Sequence, residues 1–211
     1  MQRFLLSIVA VLAVACAPAD RSDAEADAGG NPYGLRGRVL AEALPMPDVV
    51  FTDTDGRAYD LRHETDGYLT LLFFGYTHCP DVCPIHMANI GAVVRTLRPS
   101  VAARIKVLFV TTDPARDTPE RIRTWLDNFD SSFIGLTGDT AAIATAQRAL
   151  WLPPSQLGPA DSTGNYLVGH AAAVVAFTPD RLARVMYPFG IRQADWAHDL
   201  PKLLEIQWSG S

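Results

Sequence analysis

Two hydrophobic rhythms alternate along this chain: short unbroken apolar runs, and longer stretches where apolar residues recur every three or four positions. Tyr68 to Phe74 and Ile105 to Thr111 are runs of the first kind, rich in β-branched and aromatic residues, and predict strands buried on both faces. Between them Ile85, Met87, Ile90, Val93, Val94 and Leu97 fall at helical spacing. Asp117-Thr118-Pro119-Glu120 reads as a helix start, with Thr118 as N-cap and Pro119 at the first helical position. Ile122, Trp125, Leu126 and Phe129 carry that helix onward. A short strand, Phe133 to Leu136, and an Ala-rich helix, Asp139 to Leu150, come next. Trp151 to Gly169 is a long loop containing Pro and Gly, after which Ala171 to Thr178 reads as another buried strand. Pro179-Asp180 turns the chain into an antiparallel strand, Leu182 to Tyr187, and Asp195 to Ile206 is expected to be a closing helix that Pro201 kinks or breaks. Upstream, Phe51 to Arg57 predicts a hairpin turning at Asp55-Gly56.

Strand, helix, strand, then a hairpin and a helix is the order of an α/β, thioredoxin-like fold. It predicts a central mixed sheet flanked by helices, elaborated by the N-terminal β-hairpin and a helix-strand insertion. In open α/β sheets ligands gather at the carboxyl ends of the strands, so chemistry is expected just after the Tyr68 to Phe74 strand.

The first residues follow neither rhythm. Arg3 precedes an apolar run of 11 residues, Phe4 to Val14, too short to span a bilayer and of the length of a signal-peptide core. It ends in Leu12-Ala13-Val14-Ala15-Cys16, a loose lipobox that makes Cys16 the lipidated first residue of an exported, membrane-anchored protein. An ordinary secretory signal cut between Ala15 and Ala19 is the alternative, and both export the chain. Residues 17–38, rich in Ala, Asp and Gly, predict a flexible tether, leaving 39–208 as the folded domain.

The 18 basic and 23 acidic residues give a net charge of -5, and the basic ones are scattered, so nothing points to nucleic acid. Beyond Cys16 only Cys79 and Cys83 remain. Two exported cysteines ordinarily make a structural disulfide, but these have three residues between them, within Gly75-Tyr76-Thr77-His78-Cys79-Pro80-Asp81-Val82-Cys83-Pro84. On a helix, positions four apart have Cβ atoms about 5–6 Å apart, wider than the roughly 3.5–4.5 Å of a relaxed disulfide. Two thiolates sharing a soft metal ion tolerate that span, although a disulfide is not forbidden. Pro84 opposes a regular helix back to Pro80, so the helix is expected to start near Pro84, with thiolates favoured at its N-terminus.

A third ligand is needed from the same sheet edge. Of the five histidines, His63, His78, His86, His170 and His198, His170 ends the long loop and should face the cysteine turn. Cys79, Cys83 and His170 form a set suited to Cu(I), and able to accept Cu(II) or Zn(II). His78 and His86 are expected to be exposed turn and helix residues, Met87 a core residue, and Asp113, Arg116 and Asp117 a loop-fixing ion pair and cap. A peroxidase reading finds no Thr-x-x-Cys in Tyr76-Thr77-His78-Cys79.

The stretches Phe74 to Pro84, Thr112-Asp113-Pro114-Ala115-Arg116-Asp117-Thr118-Pro119-Glu120 and Phe133-Ile134-Gly135-Leu136-Thr137-Gly138 resemble, in order, three signatures of the Sco/SenC family, over about Leu44 to Leu204. The resemblance implies a thioredoxin fold, membrane anchoring, and copper held by Cys79, Cys83 and His170. It also implies assembly of the binuclear copper centre of cytochrome c oxidase, with the subunit bearing that centre and a copper donor protein as partners. The rival is a thiol-disulfide oxidoreductase of the same pathway, using Cys79 and Cys83 as redox thiols. One departure bears on affinity: the family usually has Asp before its histidine and Ser after it, where this chain has Gly169 and Ala171. An acidic neighbour orients an imidazole or raises its basicity, so weaker copper binding or more thiol chemistry is expected.

Overall fold

A computed structural model describes residues 31–208. The signal-like run, Cys16 and the tether up to residue 30 lie outside the described residues.

The first elements of the described residues are strands β1 (Arg38–Pro45), β2 (Val50–Asp53) and β3 (Ala58–Asp60) and a single turn of helix, α1 (Leu61–Glu64). The central unit is β4 (Leu69–Gly75), α2 (Val82–Val94), a short α3 (Pro99–Ala102) and β5 (Ile105–Thr111). The insertion follows as α4 (Pro119–Leu126), β6 (Ile134–Thr137) and α5 (Thr140–Ala149). Two short strands, β7 (Gln156–Leu157) and β8 (Val168–Gly169), lead to β9 (Ala173–Phe177), β10 (Leu182–Pro188) and the closing α6 (Gln193–Leu203).

Among the described residues eight strands form one sheet in the order β1-β10-β9-β4-β5-β6-β2-β3. β4 runs parallel to β5 and antiparallel to β9, and β9 antiparallel to β10, which is the thioredoxin-like core expected from the sequence. The hairpin β2–β3 turns at Gly56 (φ 79°), a conformation that glycine adopts without steric cost. It extends the sheet by pairing with β6 at Thr52–Thr137.

Every residue of β4 is buried because both its faces are covered. Leu69, Leu71 and Phe73 pack with Met87, Ile90, Ile122 and Trp196, from α2, α4 and α6. Leu72 and Phe74 pack on the opposite face with Phe51, Leu61, Ile143 and Ala146. This alternation is the two-residue period of a strand read into two cores. Helix α4 starts as expected, with the Thr118 side chain accepting from the Arg121 N–H and Pro119 in the first turn.

Three boundaries differ from expectation. Order begins before Arg38: Tyr33 packs at a tilt against Trp208 (4.4 Å), Leu35 enters the core, and the Arg36 and Gly37 N–H groups donate to the buried Asp199 carboxylate. Strand β1 then pairs with β10, with a bulge between Val39 and Leu44, so β1 and β3 are the two edges. The long loop is not structureless, since β7 and β8 pair within it. Pro201 does not break α6, which runs on to Leu203 although the proline removes one N–H from its ladder.

Candidate metal centre

Strand β4 delivers the chain to the sheet edge at Gly75, and the turn that follows is closed by a Cys79 N–H donating to the Tyr76 carbonyl (3.2 Å). Helix α2 begins at Val82, two residues before the expected start. Pro84 is its third residue, a place where no intrahelical donor is required. Cys83 is wholly buried and Cys79 half-buried. The Cys83 backbone N–H points at the Cys79 sulfur (3.4 Å).

Cys83 comes this close to the sheet only because position 75 carries no Cβ. A methyl there would sit 2.9 Å from Cys83 Sγ, 2.8 Å from the Phe73 ring and 2.9 Å from the Phe109 ring. Gly75→Ala is therefore expected to destabilise the protein by about 1–3 kcal/mol through overpacking. Thermal melts of the two proteins measure this; an unchanged midpoint would remove the close-packing argument.

His170 faces the cysteines from residues 170–172, which lie between the β8 and β9 ladders. Its Nε2 is 3.5 Å from Cys83 Sγ, and its Nδ1 is 3.1 Å from the Ala171 carbonyl. A carbonyl only accepts, so Nδ1 carries the proton and Nε2 is left with its lone pair toward the sulfurs. The rings of Phe73 (5.8 Å, 74°) and Tyr76 (5.7 Å, 84°) meet the imidazole edge-on. The orienting contact that an acidic neighbour would supply is thus made by the backbone. Gly169 is not imposed by geometry either, since a Cβ there would meet only the Gln156 carbonyl oxygen at 3.7 Å.

The two thiols are sharply unequal. The Cys79 pKa is lowered to about 3, chiefly because the Cys83 thiol hydrogen-bonds its sulfur, with the Asp81 and Cys83 backbone N–H groups adding to this. Burial, followed by that same shared hydrogen bond, drives the Cys83 thiol far up. The expectation that the helix N-terminus favours both thiolates holds for Cys79 and fails for Cys83, where desolvation outweighs the dipole.

A buried lock fixes this arrangement. Asp117 accepts from the Thr77 N–H (2.9 Å), the Thr77 hydroxyl (2.6 Å) and the Thr111 hydroxyl (2.7 Å), tying the cysteine turn to the end of β5. Asp113 and Arg116 form the expected ion pair. Arg116 also stacks on Tyr166 (3.5 Å), whose hydroxyl donates to Asp113 (2.9 Å), so the His170-bearing loop is pinned as well. Asp117, expected beside them as a cap, reaches across to Thr77 instead, and Thr118 does the capping.

Among the described residues, Cys79, Cys83 and His170 form a group whose ligand atoms all lie within 4.8 Å of one another. His78 is exposed and outside that group, as expected, and Met87 is core. His63 pairs with Glu64 and His198 with Asp199, away from the site. His86 contradicts its expected exposure: it is 2% exposed, packed between Phe73 (5.1 Å) and Phe189 (5.6 Å). Burial lowers its pKa. Ile85, expected inward, is the residue that faces solvent.

A sequence profile described as SCO1/SenC matches residues 43–205. A putative copper-binding protein of Stutzerimonas stutzeri is 32% identical over 168 residues, 79% of this chain and 80% of its own length. The mitochondrial SCO2 homologue of Bos taurus is 37% identical over 143 residues, 66% of this chain and 52% of its own. The chain thus spans about half the length of that mitochondrial relative. Its fold also resembles the structure of Bradyrhizobium japonicum ScoI with copper bound, at 32% identity and a TM-score of 0.68, covering 77% of this chain and 100% of that one.

Proposed function

Since the chain belongs to the SCO1/SenC family, we propose that it is a copper metallochaperone that carries one ion on Cys79, Cys83 and His170 and passes it to the subunit bearing the binuclear copper centre of cytochrome c oxidase. The carrying observation is the convergence of two sulfurs and one imidazole nitrogen within 4.8 Å. Two thiolates each about 2.3 Å from a shared ion, taking zinc as the guide, stand about 4 Å apart when the ligands are trigonal. The site needs only a small closure to match, and soft sulfur with imidazole selects Cu(I) among common ions.

Several features suit a site that exchanges its cargo. Cys79 and His170 are partly exposed. The apolar side chains of Leu157, Leu167 and Phe189 stand out to solvent on the segments around His170, a surface a client can cover. Among the described residues no helix is long and apolar enough to cross a membrane. Anchoring through lipid on Cys16, outside the cytoplasmic membrane, with a copper donor protein upstream, completes the proposal.

Copper(I) titration of reduced protein against a competing chelator tests it. Wild type is expected to take up one ion per chain. His170→Ala should bind more than about 100-fold more weakly, beyond the cost of losing even an outer partner of a metal ligand. Stoichiometric, tight retention by His170→Ala would sink the assignment.

The unequal thiols favour a second activity on the same residues. The Cys79 thiolate is placed to attack a client disulfide, and the Cys83 thiol to displace the client and hand its proton to the departing sulfur. The client is reduced and Cys79–Cys83 oxidised, and a dithiol reductant restores the pair. Oxidase assembly that survives His170→Ala in cells would favour this reductase role over copper delivery.

A further inference from the structure

His86 is a buried imidazole on a helix that an aliphatic side chain would pack more cheaply, because taking a polar ring out of water is unfavourable unless it is hydrogen-bonded. It lies three residues after Cys83 on the same face of α2. Its Nε2 is 3.4 Å from the Ala172 carbonyl oxygen. As a carbonyl only accepts, this nitrogen carries the proton and has no lone pair to offer a metal.

The position of that carbonyl gives the contact its meaning. Residues 170–172 fall between the β8 and β9 ladders, where strand pairing does not fix the backbone. The Ala171 carbonyl there is taken by His170 itself, and the Ala172 carbonyl by His86. Helix α2, which carries Cys83, is thereby stitched to the segment that carries His170, one peptide beyond the carbonyl that orients the His170 ring. Phe73 touches both imidazoles, at 5.1 Å and 5.8 Å, filling the space between them.

We propose that His86 is a positioning residue of the metal centre: its Nε2–H holds the Ala172 carbonyl and so sets the approach of His170 to Cys83. The inference rests on the metal-site reading, but its own failure is separable. It predicts that His86 acts only through His170, whereas a residue that merely packs the core would act on the site whatever stands at position 170.

His86→Phe keeps a ring between Phe73 and Phe189 and removes the donor; His86→Gln restores a donor. With His170 present, His86→Phe should weaken Cu(I) binding about 10-fold, as losses of outer hydrogen bonds at metal sites do, and His86→Gln should recover most of it. In a His170→Ala background, His86→Phe should change binding by less than about twofold, because the two residues act as one unit. Equal losses in both backgrounds, or no loss with His170 present, would overturn the proposal. The apoprotein supplies a readout free of copper: nitrogen NMR of the His170 ring should show a protected Nδ1–H in wild type that exchanges faster in His86→Phe. Wild type without copper affinity would count against the metal reading, leaving the His86 inference to be decided by that spectrum. Should His86→Phe not fold, a scalar coupling across the His86 Nε2–H to Ala172 carbonyl bond in wild type decides it, and absence of the coupling overturns it.

Discussion

Reduced apoprotein at about pH 5 is expected to react with iodoacetamide at Cys79 nearly as fast as at about pH 8, while Cys83 stays unmodified until the protein unfolds. An ordinary thiol with a pKa near 8.5 loses thiolate roughly a thousandfold over that interval, and its alkylation slows in proportion. Cys79, lowered to about 3, remains thiolate throughout. The sign is that of an acid stabilised in its charged form: reactivity persists as the pH falls and disappears only near pH 3. Cys83 is protected twice, by complete burial and by a thiol that keeps its proton. Peptide mapping by mass spectrometry reads both sites in one sample. A Cys79 rate that drops with pH as a free thiol's does would remove the asymmetry. Cys83→Ala offers the converse check: it deletes the largest cause of the low Cys79 pKa, so the pH dependence should return.

The second large effect concerns stability. Asp117→Asn conserves volume, yet turns an amide N–H₂ toward groups that are themselves donors, the Thr77 N–H and the Thr77 and Thr111 hydroxyls. Leaving buried donors without acceptors costs about 1–3 kcal/mol each, and breaking a buried charged network about 3–5 kcal/mol. A loss of about 3 kcal/mol lowers the melting midpoint by about 6–12 °C in a domain of 150–250 residues. Asp55→Asn, which removes an exposed pair with Arg57, is the matched control and should shift the midpoint negligibly. Comparable midpoints for the two variants would show that Asp117 is not the lock described.

Most of the sheet was legible because its strands are unbroken apolar runs. Tyr68 to Phe74 and Ile105 to Thr111 became β4 and β5 within a residue or so. The Asp55-Gly56 turn announced β2 and β3 by local chemistry alone. Strand β1 was missed because Arg38 to Pro45 mixes charged and small residues and adjoins a low-complexity stretch. Only pairing with β10, far along the chain, makes it a strand. In the site, spacing and the proline context marked Cys79 and Cys83, and the position of the long loop marked His170. His86 escapes a helical stripe that counts Ile85 on the inner face, since the structure exposes Ile85 and buries His86. A stripe counted from Cys83, through His86, Met87, Ile90 and Val93, would have found it. The Thr77 partner of Asp117 has no local signal: it lies 40 residues away, and only the folded sheet edge brings the two together.

The outer margins of the sheet carry a consequence for handling the protein at high density. An open strand edge invites another chain to add to it, and natural sheets blunt such margins with charges, prolines, bulges and short strands. Here β1 presents Arg38, Glu42 and Pro45 to solvent and is interrupted by its bulge, while β3 spans only three residues. Neither margin offers a long flat template for intermolecular pairing. Molecules crowded on a surface, or concentrated for spectroscopy, should therefore resist strand-to-strand aggregation, and straightening β1 by deleting all the extra residues between Val39 and Leu44 is the change that would remove that protection.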